Sequence, residues 1–125
     1  MVKSGVMDYR MLLAYCEEEL AGAVAHHIDP LTLEDGELLV ATRLHVLAVA
    51  PAYRGVVFDD GTRLSDVLLA NAVEDASKRR ESNVFTAIVA NENDRSLAML
   101  ERLGPWSQVA YDYLHVRLTK RLEAA

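Results

Sequence analysis

A mixed α/β fold is predicted by three observations. Two segments with β-branched and apolar character, Leu38 to Ala50 and Asn83 to Ala90, flank a helix-like run from Leu64 to Arg80. A strand, a helix and a strand in that order imply a crossover and parallel pairing. The amino-terminal part, by contrast, reads as an antiparallel hairpin, so the sheet is mixed. The 125 residues fit one domain, residues 1–125, and 51% of them are apolar, enough for a packed core.

Each element has its own signal. Met11 to Cys16 is a short apolar run suited to a strand, and Glu17 to Glu19 is a polar turn. Leu20 to Ile28 is the second strand of the hairpin. Asp29 to Glu37 holds Pro30, Asp35 and Gly36 and reads as a loop. Leu38 to Ala50 is a third strand, closed by Pro51. Leu64, Val67, Leu68, Ala72 and Ala76 recur at helical spacing and give one apolar stripe. Asn83 to Ala90 is a buried-type strand. Asn93 caps a second helix carrying Leu97, Leu100 and Leu103, and Gly104-Pro105 ends it. Gln108 to Leu118 alternates and reads as a last strand. The predicted order is β-β-β-α-β-α-β.

Composition excludes several functions. The net charge of −6 argues against nucleic-acid binding, which needs a basic face. The only dense basic group, Lys78, Arg79 and Arg80, falls where the first helix should end and complements its dipole. The single cysteine, Cys16, rules out an intrachain disulfide and fits a cytoplasmic protein. No apolar run is long enough to cross a membrane, and no signal peptide is apparent. His26 and His27 are strand neighbours that face opposite ways, so they cannot share a metal, and no metal site is expected.

The segment Tyr53 to Leu64, "YRGVVFDDGTRL", joins a strand to a helix and holds two glycines, two arginines and two aspartates. Orphan N–H groups and the dipole at a helix start favour anions. The residues alone favour a cap, with Asp60 or Thr62 closing the helix and no ligand involved.

The segment "LHVLAVAPAYRG", its following helix, and "NVFTAIVANENDRSLAMLERLG" together resemble the GNAT superfamily of acyl-CoA-dependent N-acetyltransferases. The likeness runs from about Met11 to Leu118. Asn93-x-x-Ser96, then Met99-Leu100 and Gly104, match the family's Asn-x-x-Ala…Leu-Tyr…Gly helix. The resemblance implies that acetyl-CoA lies where two parallel strands splay, here Leu44 to Ala50 and Asn83 to Ala90. Backbone groups of Leu47, Ala48 and Val49 would hold the pantetheine. Arg54, Gly55, Gly61, Thr62, Arg63 and Ser65 would surround the pyrophosphate, and Asn93 and Ser96 would lie by the coenzyme arm. The reaction implied is acetyl transfer to a primary amine. The acceptor would be a small amine or a lysine-bearing peptide, and negative charge favours a cationic one.

The sequence departs from the family in three places. The phosphate loop is about five residues longer than the regular pattern and carries Asp59 and Asp60, which would repel a pyrophosphate they faced. The strand and two helices that usually begin the fold are reduced to about ten residues. The acceptor wall is then expected from the loop Asp29 to Thr42 or from a second subunit, or is absent, and a homodimer is predicted on this ground. Leu100 stands where the family places its acid tyrosine. Tyr111, Tyr113, Tyr53 or water is then the candidate acid, with Tyr111 the choice. His45 is the candidate base: "LHxLAV" resembles the arylalkylamine N-acetyltransferases, in which a histidine here is implicated in proton removal, and imidazole titrates near neutrality. Strand alternation predicts that Arg43, His45, Leu47 and Val49 share a face. The alternative reading is a non-catalytic GNAT-like module that binds CoA as a sensor or mediates assembly.

Overall fold

The structure, a computed structural model, describes residues 7–32, 36, 38–78 and 84–122. Three strands, β1 (Met7–Cys16), β2 (Glu19–Thr32) and β3 (Leu38–Val49), form an antiparallel meander. A single 3₁₀ turn, Pro51–Tyr53, leads by a loop into helix α1 (Leu64–Ser77). Then come β4 (Val84–Ala90), α2 (Asp94–Glu101), β5 (Ser107–Ala110) and β6 (His115–Arg121). Among the described residues the six-stranded sheet runs β1-β2-β3-β4-β6-β5, and only β3–β4 is parallel. The mixed α/β fold and the parallel crossover are therefore as the sequence predicts.

Both helices pack on one face. Leu64, Leu68, Leu69, Ala72 and Ala76 of α1 and Leu100 of α2 join Phe85, Ala87 and Val89, alternate residues of β4, in one buried cluster. Asp75 on α1 ties this layer to the sheet: it bonds Nε2 of the fully buried His26 at 2.9 Å and pairs with Arg10 at 3.5 Å. His27 points to the other face, as alternation requires. On that face β1 leaves Tyr9, Met11, Leu13 and Tyr15 about half exposed. Among the described residues, no helix is long and apolar enough to cross a membrane.

Four expectations change. The described part of the expected loop Asp29 to Glu37 is largely strand: β2 continues to Thr32, with Pro30 opposite Val40. Among the described residues β1 pairs with β2 only as far as Ile28, and Pro30 lies beyond that pairing, a position where proline is tolerated. This removes most of the loop that was to wall the acceptor site; residues 33–35 and 37 lie outside the described ones, as do Arg79, Arg80 and Asn83. The first helix ends at Ser77, with Lys78 as its C-cap. The last strand is a hairpin, β5 and β6, so the order is β-β-β-α-β-α-β-β. Asp112 turns the chain by accepting the Leu114 N–H at 2.8 Å and bonding His115 Nδ1 at 2.9 Å. An alternating pattern cannot show where such a turn interrupts it.

The fourth change concerns β3. Val46 pairs with Ala25, but Leu44 pairs with His26, so His45 is an extra residue in a β-bulge. The inserted residue shifts the alternation, and every later side chain changes face. Leu44, Leu47 and Val49 pack toward the helix-side core, whereas His45 lies against Tyr9 and His27. The single face expected for His45, Leu47 and Val49 does not form.

Candidate functional site

Among the described residues, strands β3 and β4 pair only at Ala41–Val84, Thr42–Phe85 and Arg43–Thr86. Beyond Arg43, β3 runs on to Val49 and β4 to Ala90 without joining, so the strands splay. The bulge at His45 sits two residues past the last pair and bends β3 away there. The edge of β3 facing β4 from Leu44 to Val49 has unpaired backbone groups, a template for an extended ligand. Leu47, Ala48 and Val49 lie on this edge.

At the wide end of the splay lies a cleft of about 340 Å³ between the start of α1 and α2. One wall is Val49, Tyr53, Arg54, Gly55, Arg63 and Ser65; the other includes Arg95, Ser96, Met99 and Arg102. Four arginines thus line one cleft in a chain of net charge −6. The N–H groups of the first turn of α1 have no intrahelical acceptor and add their dipole to the same side. Arg54 Nε donates to the Val49 carbonyl at 3.0 Å, bracing the end of β3. Asp66 accepts the Arg63 N–H at 3.0 Å and pairs with Arg102 Nε at 2.8 Å, locking the two helices across the cleft. The Tyr53 hydroxyl donates to Glu19 at 3.1 Å; that bond, with smaller help from desolvation, raises its pKa and keeps it protonated.

The long loop does not obstruct this cleft. Val57 bridges to Arg63, and the Phe58 N–H bonds the Thr62 carbonyl at 2.8 Å, so residues 57–63 form a small hairpin. Asp60 accepts the Thr62 hydroxyl at 2.6 Å and its N–H at 3.0 Å, which lowers the Asp60 pKa. Gly61 supplies the positive φ of 87° at the tip. Neither Asp59 nor Asp60 is among the residues lining the cleft. Gly61 and Thr62, expected at the phosphate, do not line the cleft either; they build the turn that carries the extra length.

Asn93 accepts the Ser96 N–H at 3.1 Å as the cap of α2, and Ser96 lines the cleft. His45 sits on the opposite face at the narrow end of the splay. Its ring lies 5.3 Å from Tyr9 and 5.5 Å from His27. Tyr111 is placed in the β5–β6 turn rather than on a strand, 51% exposed, and its hydroxyl has no partner among the described residues. Tyr113 is 99% exposed in the same turn. Leu100 is 1% exposed in the core, so its position does not reach the splay. Among the described residues, no three His, Cys, Asp or Glu side chains gather as a metal site.

Sequence reasoning missed Arg95, Arg102 and Tyr9. The arginines read as ordinary solvated helix residues, and only the packing of α2 against α1 turns them into a cleft wall. Tyr9 lies upstream of where the apolar run was taken to start.

No family model matches the sequence, and no curated protein matches it. Solved structures do. The PaiA N-acetyltransferase of Thermoplasma acidophilum, in complex with coenzyme A, superposes with a TM-score of 0.68 at 17% identity, covering 91% of this chain and 61% of that one. The N-acetyltransferase PseH of Campylobacter jejuni, in complex with acetyl coenzyme A, gives 0.65 at 13%, covering 92% and 69%. A GNAT-family acetyltransferase of Streptococcus pneumoniae gives 0.59 at 20%, covering 90% and 66%. This chain thus spans about two thirds of the length of these proteins. The splayed parallel pair, the arginine cleft at the start of α1 and these superpositions agree: the chain has the GNAT N-acetyltransferase fold.

Proposed function

We propose that this chain binds an acyl-CoA, acetyl-CoA first, and transfers the acyl group to a primary amine of a small molecule or a lysine-bearing peptide. The observation that carries this is the continuity of the β3–β4 splay with the arginine cleft. Pantetheine would extend along Leu47 to Val49, and the pyrophosphate would lie over the start of α1 beside Gly55, Arg63 and Ser65. The thioester then reaches the narrow end of the splay. His45, on the far face, takes the proton of the attacking amine. The new C–N bond forms, the C–S bond breaks, and the thiolate takes a proton from water. No donor geometry supports Tyr111 in that last step, since its turn leaves it half exposed.

A second reading, a CoA-binding module without transferase activity, is favoured by one observation: the buried Leu100 in place of an acid. Calorimetry with acetyl-CoA, followed by a thiol-release assay against polyamine, aminoglycoside and lysine-peptide acceptors, separates the two. The transferase reading expects saturable binding, turnover with one acceptor class, and His45→Ala slowing turnover about 10²-fold or more with binding retained. Binding without turnover supports the module; an unchanged rate in His45→Ala removes the histidine from the mechanism; no binding at millimolar coenzyme removes both readings.

A further inference from the structure

The positive charge of the cleft is divided between two walls. Arg54 is committed to the Val49 carbonyl and Arg102 to Asp66. Arg63 and Arg95 have no carboxylate partner among the described residues. Arg63 stands at the start of α1, beside the N–H groups suited to a pyrophosphate. Arg95 stands on the opposite wall, in the first turn of α2, next to Ser96 and the Asn93 cap. The nearby carboxylates of Asp59, Asp60 and Asp94 are not among the residues lining the cleft.

A ligand that carries two separate anionic groups can satisfy both walls at once. A nucleoside with a pyrophosphate and a distinct phosphomonoester does so. The phosphomonoester carries about −1.5 to −2 charge near neutrality and three acceptor oxygens, a match for a planar guanidinium fork. We propose that Arg95 is a specificity-determining residue that binds the ribose 3′-phosphate of the coenzyme, so that the cleft selects 3′-phosphorylated coenzyme over its dephospho form. This rests on the coenzyme reading above. Arg63 and the α1 start hold the pyrophosphate, and Arg95 reads the second phosphate across the cleft. Arg95 is exposed and contributes nothing to the core, so its replacement leaves the fold intact.

The test is calorimetric titration of the wild-type chain, Arg95→Ala and Arg63→Ala with CoA and with dephospho-CoA. One charge-assisted contact in an open cleft is worth about tenfold in affinity. The wild type should bind CoA about tenfold more tightly than dephospho-CoA. Arg95→Ala should lose about tenfold for CoA and stay within about twofold of wild type for dephospho-CoA, while Arg63→Ala should weaken both alike. Equal binding of the two ligands by the wild type overturns the assignment, as does an Arg95→Ala effect that is absent or equal for both ligands; the coenzyme reading survives either result. Failure of the wild type to bind CoA at all removes that reading and this one together.

Discussion

Gly22 on β2 lies under α1, and its replacement by alanine should loosen the joint between the helix layer and the splayed strand. A Cβ there would stand 2.8 Å from Leu68 Cδ1 and 2.9 Å from the Ala48 carbonyl oxygen. Comfortable carbon contacts lie at about 3.5–4.0 Å, so each neighbour must retreat by about half an ångström or more. Leu68 is 2% exposed in a packed cluster and cannot swing aside, and the oxygen belongs to the backbone of β3. Overpacking of this kind costs about 1–3 kcal/mol. Gly22 is not among the positive-φ glycines, so alanine also restricts the unfolded chain and returns about 0.4–1 kcal/mol. The net expectation is a loss of about 1–2 kcal/mol, read as a lower urea midpoint at unchanged slope. Because Ala48 is on the edge expected to hold pantetheine, acetyl-CoA affinity should fall as well. In a Leu68→Ala background one of the two close contacts is gone, and the same change should cost less by about 0.5 kcal/mol or more. A Gly22→Ala chain as stable as the wild type would refute the reasoning, since it would mean that α1 rides on β2 without close packing.

Two further predictions are independent of the coenzyme. Hydrogen bonds from Thr62 lower the pKa of Asp60, so the 57–63 hairpin gains stability from the ionised carboxylate above the ordinary value of 3.8 and loses it as pH falls through the depressed one; the Thr62 amide resonance should titrate with a midpoint below 3.8, and a midpoint at or above it would exclude the bond. The apolar stripe Tyr9, Met11, Leu13 and Tyr15 lies on an edge strand and should pair two copies of the chain, as a homodimer; sedimentation at micromolar concentration should report twice 13.9 kDa, and a monomer there would remove the expectation.

The sequence by itself determined the local elements whose causes are local. The hairpin turn within Glu17–Glu19, the stripe of α1, the Asn93 cap and the apolar run of β4 are each written in a few adjacent residues. The order strand–helix–strand then compelled the parallel pair, because a crossover leaves the chain no other short route. It also indicated that a helix start beside Gly55, Arg63 and Ser65 could take an anion. Only the tertiary structure decided the rest. The bulge at His45 depends on how β2 and β3 register against each other, and it alone sends His45 to one face and Leu47 and Val49 to the other. The break between β5 and β6 depends on pairing across the sheet, which alternation within one segment cannot reveal. Arg95 and Arg102 become part of a site because α2 packs beside α1, some 30 residues away in sequence from Arg63 and Asp66. A periodic pattern says which face of an element is apolar; it carries no record of which distant element will share that face, and the cleft is made of such encounters.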